Sequence, residues 1–154
     1  MNEGADTSTS HPSLNILFAE DDYVSRMLVE EIFRLNGHTV TSVVTGHEVL
    51  KALKLEKFDI IFMDVSMPRL DGIKATKRIR EDTSGLFDPA IPIVAMTGHV
   101  LPSDRDRIME AGMDDFIAKP IDISELSKIL NKFVARIEDA RSDSPQGART
   151  GRPD

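Results

Sequence analysis

Five short apolar runs recur, most of them about 20 to 25 residues apart, and between them the apolar positions change from continuous to helical spacing. That alternation confines the chain to βαβ units built on a parallel sheet, because strands covered by helices on both faces read as near-continuous apolar runs. The runs are Leu14 to Ala19, His38 to Val43, Phe58 to Met63, Ile91 to Met96 and Asp115 to Ala118. The second is half Thr and Ser and is the weakest strand of the set.

Helices fill the gaps. Val24, Leu28, Ile32 and Leu35 fall at steps of four and three residues behind Asp22, an N-cap type, and Gly37 stands where a helix ends. Near the other end, Asp122 and Glu125 resemble a capping box, followed by the stripe Leu126, Ile129, Leu130, Phe133 and Ile137. Between them the pattern predicts helices over Gly46 to Lys54, Leu70 to Asp82 and Pro102 to Ala111, the last closed by Gly112 and having the fewest apolar residues. A helix with so little to bury is held loosely. Residues 1–13 and 138–154 lack apolar periodicity and are expected to be disordered tails around one unit, 14–137.

Composition removes whole classes of function. A formal charge of -7 disfavours a nucleic-acid surface, which needs clustered Lys and Arg. The absence of cysteine excludes disulfides, thiolate metal sites and a thiol nucleophile, which fits a cytoplasmic protein. No apolar run approaches ~18 residues, so neither a membrane span nor a signal peptide is expected.

In an open α/β sheet, ligands bind beyond the carboxyl ends of the strands. Here those ends carry Glu20-Asp21-Asp22, then Asp64, then Thr97-Gly98-His99, then Lys119-Pro120. Carboxylates crowded on one edge repel by ~3 kcal/mol per pair at ~5 Å and an effective dielectric of ~20, so a cation is required among them. Hard Mg²⁺ prefers such oxygen ligands, with Asp21 and Asp64 the direct ones. Asp64 is also suited to be a nucleophile that forms an aspartyl-phosphate. Thr97 and Lys119 would bind the transferred oxygens from the other side, and Gly98 leaves room for the group to arrive.

The motifs Phe-Ala-Glu20-Asp21-Asp22, Met-Asp64-Val-Ser-Met-Pro-Arg-Leu-Asp-Gly, Ala-Met-Thr97-Gly98-His and Phe116-Ile-Ala-Lys119-Pro120 resemble the receiver domain of response regulators. In style they are similar to receivers attached to hybrid sensor histidine kinases. The resemblance implies a flavodoxin-like (βα)5 fold, one doubly wound five-stranded parallel sheet of order 2-1-3-4-5. It further implies Glu20 and Asp21 as the acidic pair, Asp64 as phosphoacceptor, the backbone carbonyl of Ser66 as a metal ligand, and Thr97 and Lys119 as the phosphate-binding pair. Phe116 matches the aromatic switch position, where without a Tyr hydroxyl it would act by burial. Glu20 stands where Asp is commoner, so its contact with Mg²⁺ would run through water. Ser66 and His99 flank the phosphate and would modulate how long it survives. The implied function is Mg-dependent acceptance of a phosphoryl group from a phosphohistidine on a sensor histidine kinase or histidine phosphotransfer protein. Such a chain is no enzyme beyond its own phosphorylation and dephosphorylation. Its output face would be the fourth helix, fifth strand and fifth helix, which could also pair two copies. A cis peptide at Lys119-Pro120 would aim the lysine inward.

Plainer roles compete at several positions. Asp22 is better explained as a helix cap than as a ligand, and Asp71 can cap the third helix, which leaves Asp64 without that role. Lys74, Lys77, Arg78 and Arg80 read as a solvated helix face. A dehalogenase-type phosphatase would need a second Asp where Ser66 stands, and a flavodoxin-like electron carrier would place a flavin phosphate against three acids.

Overall fold

The computed structural model describes residues 13–67, 70–98 and 101–149, with side chains as far as residue 141. His99 and nearly all of the expected N-terminal tail lie outside the described residues. Strands and helices alternate throughout: β1 Asn15–Ala19, α1 Tyr23–Leu35, β2 Thr39–Val43, α2 Gly46–Leu55, β3 Ile60–Asp64, α3 Gly72–Arg80, β4 Ile93–Thr97, α4 Pro102–Ala111, β5 Asp115–Ala118 and α5 Ile123–Arg149. The sheet order is β2-β1-β3-β4-β5, with every pair parallel, as expected.

Alternation along the strands sorts the apolar runs into two layers. Leu17, Ala19, Ile61, Met63, Ile93 and Ala95 pack against α2, α3 and α4. Ile16, Phe18, Ile60, Phe62, Val94, Met96 and Ile117 pack against α1 and α5, where Phe33 meets Phe18 edge-on at 5.7 Å. β3 and β4 are buried throughout, whereas edge strand β2 stays half-exposed, which is why its run carries Thr and Ser.

The caps follow sequence chemistry. Asp22 accepts the Ser25 N–H at 2.9 Å, and Asp71 accepts that of Lys74 at 2.9 Å. Gly37 turns the chain after α1 at φ 87°. α4 buries only Ile108 and Ala111 and ends at Gly112, with φ 103°.

Two expectations need correction. α5 does not stop near 137: it runs on to Arg149, so residues 138–149 are helical rather than a disordered tail. Glu138, Ala140 and Arg141 are good helix formers that carry the helix past the last apolar position, and Arg141 ties the extension to Asp59 at 2.7 Å. Arg80 is not part of a solvated face either. Its guanidinium donates to the carbonyls of Gly112, Pro89 and Ile91 at 2.7 to 2.8 Å and to Asp114 at 2.9 Å, joining α3 to the turns that open β4 and β5.

Candidate functional site

Register brings the acids together. Ala19 pairs with Met63, so the next residues along the two strands, Glu20 and Asp64, come level at the point where the sheet order reverses. Continued alternation from Phe18, Phe62 and Ile117 puts Glu20, Asp64 and Lys119 on the same side of the sheet. The Lys119 ammonium lies 3.0 Å from Asp64 Oδ2 and 2.8 Å from Glu20 Oε1. Its peptide bond to Pro120 is cis, as anticipated. Asp64 Oδ1 accepts the backbone N–H of Ser66 at 3.0 Å, and Glu20 Oε2 accepts that of Asp22 at 3.0 Å.

Oxygens of Glu20, Asp21 and Asp64 lie within 4.8 Å of one another. Three carboxylates against one ammonium leave two negative charges uncompensated. Glu20 is fully buried, and its Oε1, although close to Nζ, has no well-directed hydrogen bond. A buried carboxylate oxygen held by charge alone, in a set of hard oxygen donors, fits a small divalent cation. Burial pushes the Glu20 carboxyl above its ordinary value of 4.5, against the lowering effect of Lys119. Burial also works to lower Lys119, but Glu20 and Asp64 outweigh it and raise the ammonium above 10.5.

These directions predict a pH dependence. Because the native state holds the Glu20 proton more tightly than the unfolded chain does, stability of the metal-free protein falls as pH rises through 4.5 toward the raised value. The Lys119 contribution is complete below 10.5 and is lost only as pH rises through its raised value. Urea midpoints measured between pH 4.5 and 7 should therefore slope downward less in Glu20→Gln than in wild type. Parallel slopes would assign the trend to other groups.

Thr97 belongs to the other side of the sheet. With Ile93 and Ala95 it faces α3 and α4, is 2% exposed, and lines a cleft of about 450 Å³. Asp21, Ser66 and Met67 form one wall of that cleft, and Asp104 and Arg107 of α4 form another. Gly72 packs against the end of β3: a Cβ there would lie 2.5 Å from the Asp64 carbonyl oxygen. Phe116 is half-buried under α4, with the Arg105 guanidinium 5.2 Å from its ring centre. Arg107 was not singled out in the sequence, where it sits in an ordinary charged helix. Only the packing of α4 turns it toward the cleft.

The family model of the response regulator receiver domain matches residues 16–131. The chain belongs to this family. Receiver domains act in two-component signalling with histidine kinases and phosphotransfer proteins. Among curated relatives, sensor histidine kinase GacS of Pseudomonas protegens is 32% identical over 118 residues, covering 77% of this receiver and 13% of that protein. Transcription factor SKN7 of Saccharomyces cerevisiae is 35% identical over 128 residues, covering 83% of this receiver and 20% of that protein. The chain thus spans a small part of the relatives it matches. Among solved structures, the receiver domain of sensor histidine kinase PA1611 from Pseudomonas aeruginosa superposes with a TM-score of 0.72 at 35% identity, over 80% of this chain and 99% of that one. That structure has a magnesium ion coordinated in its active-site cleft. The Saccharomyces cerevisiae receiver domain of Ssk1, crystallised with the histidine phosphotransfer protein Ypd1, gives 0.73 at 25% identity over 81% and 91%.

Proposed function

We propose that this receiver accepts a phosphoryl group on Asp64 from a phosphohistidine of a sensor histidine kinase or histidine phosphotransfer protein. The observation that carries this reading is the Lys119 ammonium 3.0 Å from Asp64 and 2.8 Å from Glu20, a cation fixed at the carboxylate that must meet an anionic donor. An Asp64 oxygen attacks phosphorus in line with the donor P–N bond. The P–O bond forms as the P–N bond breaks, and the imidazole nitrogen leaves with the electron pair and takes a proton from solvent. Asp21, Asp64 and the Ser66 carbonyl would hold Mg²⁺, with Glu20 acting through water; its chemistry there is to neutralise the phosphoryl oxygens. Lys119 and Thr97 bind those oxygens from the protein side, while Ser66 and His99 border the site and set access of water to it.

The donor has to reach Asp64 past α1, which exposes Tyr23, Val24 and Met27 right after the acidic pair. We assign that surface to the donor. Output leaves by a different face. A new charge of about -1.5 to -2 draws Thr97 inward and repacks Phe116 and the weakly anchored α4, shifting the population of the α4/β5/α5 face. That face receives the target or a second copy, in a cytoplasmic unit.

Incubation with Mg²⁺ and acetyl phosphate should add one phosphoryl mass to wild type and none to Asp64→Asn. Amide shifts on phosphorylation should concentrate in α4, β5 and α5. Equal mass gain in both proteins would move the acceptor elsewhere.

A further inference from the structure

We propose that Arg107 is a second phosphoryl-binding cation, contributed by α4, whose guanidinium takes phosphoryl oxygens that Lys119 leaves free. The inference rests on Asp64 being the phosphoacceptor.

Lys119 is already divided between two carboxylates. It approaches Asp64 from the Glu20 side of the sheet and does not line the cleft on the α4 side. A transferred group brings a charge of about -1.5 to -2; added to the carboxylates of Glu20 and Asp21, it exceeds what Mg²⁺ and the Lys119 ammonium supply, so part of the charge is left unmatched toward that cleft. The titratable residues that line the cleft are Asp21, Asp71, Asp104 and Arg107, which makes Arg107 its one cation among the described residues. The two helix-side acids are engaged with backbone: Asp71 accepts from Lys74 N–H, and Asp104 from Leu101 N–H at 3.2 Å. Among the described residues Arg107 has neither an ion pair nor a side-chain hydrogen bond, although Asp104 lies one turn before it on the same helix. A guanidinium left unmatched in a cleft it shares with Thr97 and Ser66 is available for an arriving anion, and its planar fork suits phosphate oxygens.

The carrier helix is equally suited. α4 buries only Ile108 and Ala111, and Ile108, next to Arg107, lines the same cleft. Its other arginine at this level, Arg105, lies over Phe116. Drawing Arg107 toward the phosphoryl group would therefore move the helix that also loads the Phe116 ring. Arg107 couples the charge at Asp64 to α4 directly, in addition to the path through Thr97.

Calorimetric titration of the full chain with beryllofluoride, a phosphoryl mimic, at saturating Mg²⁺ tests this. Arg107→Gln should bind roughly tenfold more weakly than wild type, the loss of about one charge-assisted hydrogen bond, and Arg107→Lys should recover part of it. Arg105→Gln should bind as wild type does, and the affinity for Mg²⁺ alone should not fall in Arg107→Gln. The exposed position of Arg107 should leave its urea midpoint unchanged. Equal beryllofluoride affinity in wild type and Arg107→Gln, or an equal loss in Arg105→Gln, would overturn the inference and leave the Asp64 reading standing. No beryllofluoride binding by wild type would overturn both.

Discussion

Lys119→Met should lower the rate of phosphoryl uptake by at least 100-fold and, without Mg²⁺, remove about 2 to 3 kcal/mol of stability. The variant keeps the length of the side chain and deletes its charge, so Glu20 and Asp64 face each other with no cation within 3.0 Å. Removing one partner from a buried ion pair costs ~3 to 5 kcal/mol where no solvent reaches it. The lower figure applies here because the lysine side chain is 24% exposed, and because Glu20, already raised by burial, can take a proton instead. Two conditions should therefore rescue the variant. Millimolar Mg²⁺ should restore most of the loss by binding the native state, and lowering the pH toward 5 should restore part of it by neutralising Glu20. Neither should rescue transfer from a phosphodonor, since the phosphoryl oxygens would still lack their ammonium. Urea denaturation at pH 7.5 and pH 5, each with and without Mg²⁺, measures the first effect and a mass time course the second. A loss that Mg²⁺ does not touch would mean that the lysine acts by packing.

Arg80→Ala should cost about 3 kcal/mol, a fall of roughly 6 to 12 °C in Tm for a domain of this size. The guanidinium bonds the carbonyls of Gly112, Pro89 and Ile91 and the carboxylate of Asp114, which in turn accepts the Ile93 N–H at 2.8 Å. Truncation leaves these acceptors to water that reaches them poorly, since the side chain is 19% exposed. The neighbourhood is built around it: a Cβ on Gly112 would lie 2.8 Å from Arg80 Cγ. Arg80→Lys should recover less than half of the loss, because an ammonium cannot span carbonyls from two turns at once. Affinity for Mg²⁺ should be unchanged, which separates this clamp at the amino ends of β4 and β5 from the site at their carboxyl ends. Thermal melts of both variants decide it, and a shift under 2 °C for Arg80→Ala would show that the bonds are dispensable.

Arg80 also marks where sequence reasoning stops. Lys74, Lys77, Arg78 and Arg80 look alike in the chain, and only Arg80 is drawn in, because it ends α3 within reach of the Gly112 carbonyl in the turn before β5. Arg107 is similar: nothing in Ser-Asp-Arg-Asp-Arg-Ile distinguishes it from Arg105, yet one borders the cleft and the other covers Phe116. The extension of α5 went unforeseen for a related reason. Its anchor, Arg141 on Asp59, joins residues 82 positions apart.

The chain by itself determined the five strands, their parallel packing and the identity of the charged groups at their carboxyl ends, because burial on two faces and capping are local demands written into consecutive residues. It also placed Glu20, Asp64, Thr97 and Lys119 at strand ends, since a parallel sheet has one edge where all such ends meet. The tertiary structure decided which side of the sheet each of them faces, that Lys119 is shared between Glu20 and Asp64, and which arginines are taken up by backbone, by an aromatic ring or by the cleft. Those choices depend on register and helix packing between distant segments, where one residue of shift moves a side chain to the opposite layer.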